Sequence, residues 1–243
     1  MSAVIIPARY GSSRFYGKVL AKIGGEPMIS LVAKRCLDTK ANSVIVVTDN
    51  EEVFNVCNKI SNLKVIMSPE NIETGTDRVA FAAQNIDDDI IINVQGDEPF
   101  IPSKLINLLL DGLNNDNSID MITACTPFAN EELSLNPDNV KVVLDSNNFA
   151  LYFSRYPIPY NRDKIDNVIR YRHIGIYGFR REYLFKFTKM ERSNLEKSEN
   201  LEQLRALENG AKIKVVITDY NPISIDTPKD LEYAKSCLDK ELK

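Results

Sequence analysis

The chain has 243 residues, 44% of them hydrophobic and 26% charged, and a net charge of −4. That length supports a full hydrophobic core, and the composition is that of an ordinary globular chain rather than a disordered or fibrous one. The acidic balance argues against general nucleic-acid binding, which needs a basic face, and no apolar run approaches the ~20 residues of a membrane helix. Four cysteines (Cys36, Cys57, Cys125, Cys237) stand far apart with no C-x-x-C pair, so neither a zinc nor a thiol-redox motif is expected, and the pattern suits a reducing cytoplasm. The first apolar run is too short for a signal peptide.

In chain order, Ala3–Pro7 reads as a buried strand that opens into a loop of Gly, Ser, Arg and Lys, from Arg9 to Lys18. Pro27–Thr39 follows with a one-sided apolar stripe, a helix. Ser43–Thr48 is a fully apolar strand, with Asp49 as a candidate cap for a helix over 51–60. Lys64–Met67 reads as a strand, Gly75–Gln84 as a helix, Asp89–Gln95 as a buried strand, and Ser103–Leu113 as a helix with Ser103 at its cap. Apolar strands without alternation, separated by helices, indicate a parallel sheet covered on both faces. The rhythm changes at Asp120–Thr126, Val140–Leu144, Ala150–Ser154 and Ile174–Phe179, four strand-like runs with no helical pattern between them. The segment 156–171 reads as a long polar loop. Helices return at Arg181–Phe187 and Ser198–Asn209, the latter ended by Gly210. Lys212–Ile217 is a strand, and Pro228–Leu238 is the last helix, with Pro228 at its first position behind Thr227. No repeat or clear linker divides the chain.

Three polar constellations fall at the carboxyl ends of strands, where ligands collect in an open parallel sheet. The Arg9–Lys18 loop carries Arg9, Arg14 and Lys18 beside Gly and Ser. An ordinary surface loop would also use Gly-Ser-Ser, but three cations at the end of a buried strand favour a bound polyanion. It lacks the P-loop pattern. The run Asn93-Val94-Gln95-Gly96-Asp97-Glu98-Pro99 puts a carboxylate after an apolar strand, fit either for a hard cation such as Mg²⁺ or for a capping turn. Ser224-Ile225-Asp226-Thr227-Pro228 is foremost a helix start. Asp226 gains chemical meaning only if it meets Asp97. The turn Glu73-Thr74-Gly75-Thr76-Asp77-Arg78 suits a base or ribose, or a plain cap. His173, the only histidine, stands near Arg155, Arg170 and Arg172, a set that suits an acidic substrate; a lone histidine is also commonly structural.

Taken together and in order, these motifs resemble a family. Arg9-Tyr10-x-Ser12-Ser13-Arg14-x-x-Gly17-Lys18, Thr74–Arg78, Val94–Pro99, Ala150–Arg155, Arg172–Gly178, Leu201–Arg205 and Asp226-Thr227-Pro228-x-Asp230-Leu231 are similar to those of the 3-deoxy-manno-octulosonate (Kdo) cytidylyltransferases of lipopolysaccharide assembly. The resemblance spans essentially the whole chain. It implies a three-layer α/β/α, Rossmann-like nucleotidyltransferase fold with a mostly parallel mixed sheet. The expectation is a single domain over 1–243, with an antiparallel substrate and dimerisation extension at about 121–180. It further implies that CTP and Kdo give CMP-Kdo and diphosphate, with Mg²⁺ as cofactor, in a cytoplasmic homodimer without nucleic-acid or membrane partners. By position, Arg9, Ser12, Ser13, Arg14, Lys18, Thr74, Gly75, Thr76 and Gln95 would bind CTP. Asp97 and Asp226 would hold the metal and, with Arg14 and Lys18, form the catalytic set. Arg155, His173, Tyr177, Glu202 and Gln203 would bind the sugar acid, with Arg155 and His173 as its cations. The alternatives are an 8-amino-Kdo or other acidic-sugar cytidylyltransferase and, more remotely, a non-catalytic nucleotide-binding module. One departure stands out: the family loop usually reads Arg-Leu-Pro-Gly-Lys, and here Phe15-Tyr16 replaces Leu-Pro, returning a backbone donor and freeing φ.

Overall fold

The computed structural model describes residues 1–11, 14–166 and 168–241. Ser12 and Ser13, two expected CTP ligands, lie outside the described residues. The chain divides into two compact units, Met1–Leu110 with Pro222–Lys243, and Asp111–Asn221.

In the first unit the elements are β1 (Ser2–Pro7), β2 (Lys22–Ile23), β3 (Glu26–Pro27), α1 (Met28–Leu37), β4 (Ser43–Thr48), α2 (Glu51–Cys57), β5 (Lys64–Met67), α3 (Gly75–Ala83) and β6 (Ile90–Asn93). α4 (Ser103–Asn115) contains the boundary between the units. The strands order as β6-β1-β4-β5, all parallel, with Val4 opposite both Val44 and Ile92. Every residue of β1 is buried, as a central strand covered on both faces requires. The β2–β3 hairpin has only two residues per strand, too short to leave an alternating signal. Asn50, not Asp49, caps α2: its side chain accepts from the amides of Glu52 and Val53 at 2.9 and 3.2 Å. Ser103 is the first residue of α4 rather than its cap, and its hydroxyl donates to Asp38 at 3.2 Å.

In the second unit, β7 (Met121–Pro127), α5 (Glu131–Leu135), β8 (Lys141–Leu144), β9 (Ala150–Ser154), β10 (Tyr171–Arg180), α6 (Arg181–Thr188), α7 (Asn194–Glu199), α8 (Gln203–Glu208) and β11 (Ile213–Ile217) follow. β11 runs parallel to β7, and the β7–β10, β10–β8 and β8–β9 pairings are antiparallel. Two expectations are corrected here. A helix does interrupt the antiparallel run: α5 spans five residues, capped by Asn130, and is too short to show a helical period. The single helix expected over 198–209 is two, because Asn200 turns left-handed at φ 51° and ends α7. Lys141 is fully buried, and its ammonium donates to the carbonyls of Asn136, Asn139 and Arg155. This ties the turn after α5 to the end of β9. α9 (Pro228–Glu241) belongs to the first unit.

Candidate active site

At the carboxyl ends of β1 and β6, the first unit holds a cleft of about 370 Å³. Its walls include Arg9, Arg14, Lys18, Thr74, Gly75, Gln95, Asp97 and Asp226. Six of these lie on the three strand-end or helix-start segments that the sequence singles out, and Thr74 and Gly75 on the Glu73–Arg78 turn; Arg9, Arg14 and Lys18 come from one loop.

That loop is shaped by local chemistry. Tyr10 O accepts the Gly17 N–H at 3.1 Å, closing the loop on itself. Gly17 takes φ 67°, and a Cβ there would meet the Tyr10 ring at 3.2 Å, so only glycine fits. Phe15 packs against the apolar cluster of Ile23, Met28, Ile225, Leu231 and Ala234. Tyr16 lies edge-on to Tyr10 with ring centroids 5.0 Å apart. The aromatic pair therefore has partners on both sides. Directly after Gly17, a short 3₁₀ turn, Lys18–Leu20, presents Lys18.

Opposite it, Gly96 lets the turn after β6 approach the end of β1: a Cβ there would stand 3.0 Å from Pro7 O. Asp97 follows. Its carbonyl accepts from the Ile225 amide at 3.1 Å, which brings the segment before α9 alongside. At the start of α9, Thr227 and Asp230 form a reciprocal capping box: Asp230 accepts from the Thr227 amide at 2.7 Å, and Thr227 Oγ1 accepts from the Asp230 amide at 3.3 Å. The cap is thus complete without Asp226, whose carboxylate is left for the cleft. The Lys18 ammonium donates to Asp97 Oδ2 at 2.6 Å and to Asp226 Oδ1 at 2.9 Å, and Arg14 reaches Asp226 at 3.0 Å. Burial works against the Lys18 charge, but Asp97 and Asp226 outweigh it and hold the ammonium above its ordinary range.

The donor set fits a hard divalent cation. Two carboxylate oxygens converge on one positive charge, for which the ammonium is the stand-in. No group of three His, Cys, Asp or Glu side chains gathers among the described residues. A cation held by Asp97 and Asp226 would therefore complete its shell from water and phosphate, the habit of Mg²⁺ on nucleotides.

Thr74 caps α3, accepting from the Asp77 amide at 3.0 Å, and Gly75 lies beside Pro7 and Gln95 in the wall. Thr76 is buried and does not line the cleft. Gln95 donates to Asn93 Oδ1 at 3.1 Å. The sequence marks Asp49 only as a candidate helix cap and Arg78 only as the last residue of the Glu73–Arg78 turn. Arg78 is buried, lines the cleft, and pairs with Asp49 at 2.9 Å. The signals were present: Arg78 stands four residues after the cap Thr74, on the same helix face, and Asp49 ends an apolar strand as Asp97 does.

In the second unit, His173, Tyr177 and Gln203 come together. The His173 and Tyr177 rings lie 5.5 Å apart, and the Tyr177 hydroxyl donates to Gln203 Oε1 at 3.2 Å. Burial pushes the His173 imidazole down to about 3, so it is neutral near pH 7 and does not serve as the cation expected for an acidic sugar. Its Nε2 pairs with Thr123 Oγ1 at 2.9 Å. Arg155 instead clamps the turn at 199–200, donating to Glu199 O at 2.7 Å and Asn200 O at 3.4 Å, and also to Pro137 O. Glu202 pairs with Arg205 at 3.1 Å, and Arg170 with Glu131 at 2.7 Å. A larger cleft of about 910 Å³ lies in the same unit between Pro127 and Arg170. It is walled in part by the exposed Leu135, Tyr156, Tyr160, Ile165 and Ile169.

An α/β chain of this kind, with a cationic loop at the end of its first strand and paired acids at later strand and helix ends, is a nucleotidyltransferase. The family model described as Cytidylyltransferase matches residues 3–213. A 3-deoxy-manno-octulosonate cytidylyltransferase of Chloroherpeton thalassium is 40% identical, over 100% of this chain and 99% of that one. One of Thermodesulfovibrio yellowstonii is 43% identical, over 96% of each. A solved CMP:2-keto-3-deoxy-manno-octonic acid synthetase complexed with CTP superposes with TM-score 0.94 at 36% identity, over 99% of both chains. The chain belongs to the 3-deoxy-manno-octulosonate cytidylyltransferase family.

Proposed function

We propose that the chain transfers the cytidylyl group of CTP to Kdo, giving CMP-Kdo and diphosphate for lipopolysaccharide biosynthesis. The observation that carries this reading is the convergence of Asp97 and Asp226 on Lys18, with Arg14 alongside, in a cleft walled by the Thr74–Gly75 turn. The anomeric hydroxyl of the sugar acid attacks the α-phosphorus in line; a new P–O bond forms as the bond to diphosphate breaks, and the hydroxyl proton passes to solvent. Most of the barrier to such a transfer is met by positioning and charge. Arg14 and Lys18 bind the β- and γ-phosphates and balance the charge that grows on the departing diphosphate. Arg9, Thr74, Gly75 and Gln95 seat the nucleoside. Asp97 and Asp226 would hold Mg²⁺, which would supply charge neutralisation and Lewis acidity when bound.

In the second unit we assign the sugar acid to Arg155, His173, Tyr177, Glu202 and Gln203. Supporting this, the Gln203 side-chain amide nitrogen is buried with no hydrogen-bond partner, a donor awaiting an acceptor. Neutral His173 serves as a hydrogen-bonding group, so the charge opposite the sugar carboxylate falls to arginine. We assign a homodimer contact to the apolar wall around Tyr156, Tyr160, Ile165 and Ile169, tested by the molar mass in solution. No described helix is long and apolar enough to cross a membrane, and we place the reaction in the cytoplasm.

The test is diphosphate release from CTP and Mg²⁺ with a panel containing Kdo, 8-amino-Kdo and other sugar acids. Release with Kdo, abolished in a folded Asp97→Asn variant, is expected. Preference for 8-amino-Kdo would revise the acceptor, release by Asp97→Asn at the wild-type rate would overturn the metal assignment, and no release with any acid would make the chain a binding module.

A further inference from the structure

The loop that binds phosphates must be held in register with the wall that seats the nucleoside, and the two come from distant segments of the chain. One side chain joins them. Asp49 stands just past the end of β4, and because Asn50 supplies the cap of α2, both oxygens of Asp49 are free for other work. Oδ1 accepts the Tyr10 amide at 3.1 Å. Oδ2 accepts from Arg78 Nη2 at 2.9 Å. Tyr10 is the root of the cationic loop. Arg78 rises from the first turn of α3, where Thr74 and Gly75 begin the nucleoside wall, and it lines the cleft itself.

A buried Asp–Arg pair is often only a structural tie, and the energy of such a pair is a poor guide to purpose. What sets this one apart is the second oxygen. Arg78 already donates to Ser68 Oγ and lies 3.5 Å from Ile72 O, so it has anchors of its own within its unit. Among the described residues, the acceptor of the Tyr10 amide is Asp49. The carboxylate thus adds something the Arg78 anchors do not: it fixes where the loop leaves the sheet relative to where α3 starts.

We propose that Asp49 is a positioning residue for nucleotide binding, holding the root of the Arg9–Lys18 loop with one carboxylate oxygen and Arg78 in the cleft wall with the other. It touches no reacting atom. Its effect falls on the geometry into which CTP binds, and only through that on turnover. This inference rests on the reading that CTP occupies the cleft.

The experiment uses the full-length protein with CTP, Kdo and Mg²⁺. Asp49→Asn keeps an acceptor for Tyr10 but loses the charge on Arg78; Asp49→Ala loses both. The KM for CTP is expected to rise about tenfold in Asp49→Asn, the scale of one charge-assisted hydrogen bond, and further in Asp49→Ala. The KM for Kdo and kcat stay within about threefold, whereas a merely structural role would lower the melting temperature and the active fraction and leave the KM for CTP unmoved. A KM for CTP within twofold of wild type in either folded variant overturns the proposal. Arg14→Ala separates the two readings: if it also leaves CTP binding unchanged, the cleft is not the nucleotide site, and if it weakens binding while the Asp49 variants do not, the positioning role alone fails. In the unmodified protein, the Tyr10 amide is expected to resist hydrogen exchange before nucleotide is added, and rapid exchange there overturns the proposal without any substitution.

Discussion

Replacing Lys18 with Met removes the charge that two carboxylates share and keeps most of the side-chain volume. Asp97 Oδ2 and Asp226 Oδ1 lie 2.6 and 2.9 Å from the same nitrogen, so they stand close to one another once that nitrogen is gone. Two negative charges about 5 Å apart repel by about 3 kcal/mol at an effective dielectric of 20. Asp226 is 35% exposed and keeps its contact with Arg14, so solvent and that guanidinium reduce the cost, and about 2 kcal/mol is the expected loss. For a chain of this size that is a fall in Tm of about 4–8 °C. A divalent cation offered to Lys18→Met meets two carboxylates with no competing ammonium. The variant is therefore expected to regain most of the lost Tm as Mg²⁺ is raised without nucleotide, while wild type responds weakly. Turnover does not return with stability, because the diphosphate has lost its cation; a loss of about 10²–10³ in kcat is expected. Thermal melts across an Mg²⁺ series, with and without CTP, make the measurement. A variant that melts with wild type and shows no greater response to Mg²⁺ would refute the reasoning.

Gly96→Ala places a methyl 3.0 Å from Pro7 O, so overpacking of about 1–2 kcal/mol and a raised KM for CTP are expected; a neutral result in melts and kinetics would show that the β1 end moves away freely. His173, held near 3 in the fold against about 6.5 when unfolded, makes the unfolded chain bind the extra proton between those values. Stability therefore falls as pH drops below about 6.5, by up to about 1.4 kcal/mol per unit from this residue, and His173→Gln is expected to flatten that slope in denaturant titrations. Burial pushes the Cys57 and Cys125 thiols up to about 12 and raises Cys36 as well. Of the four cysteines, Cys237 alone is expected to react promptly with a thiol reagent in the native protein, and fast labelling of any buried one would contradict the packing.

Much of the site was legible because parallel sheets place ligands at strand ends. Asp97 needed only that rule. Asp226 needed more, since Thr227-Pro228 announces a helix start and the neighbouring acid looks like part of it. The capping box to Asp230 is what releases Asp226, and its meeting with Asp97 depends on a long-range approach that spacing does not encode. Asp49 was misread for the converse reason. Asp49 and Asn50 both suit a cap, and which one turns its side chain inward is decided by Arg78, from another part of the chain. His173 stands in a run of arginines that suggests an open, cationic surface; the fold buries it against Phe153 and Tyr177, where an imidazolium would be costly. In the second unit, short elements with side-chain caps carry too few residues for periodicity to reveal.

The Phe15-Tyr16 pair has a consequence for how the enzyme meets heat. Proline stiffens a loop through its own ring, a constraint that survives when neighbours loosen. Here the stiffness comes from contact, with Phe15 seated against the apolar cluster that contains Ile225 and Leu231, and Tyr16 leaning on Tyr10. Contact of that kind can be undone by local opening well before the core gives way. The catalytic ceiling of this chain should then lie below its melting point, with the gap set by the grip of two aromatic rings, and a cooler or warmer working range reachable by changing those rings alone.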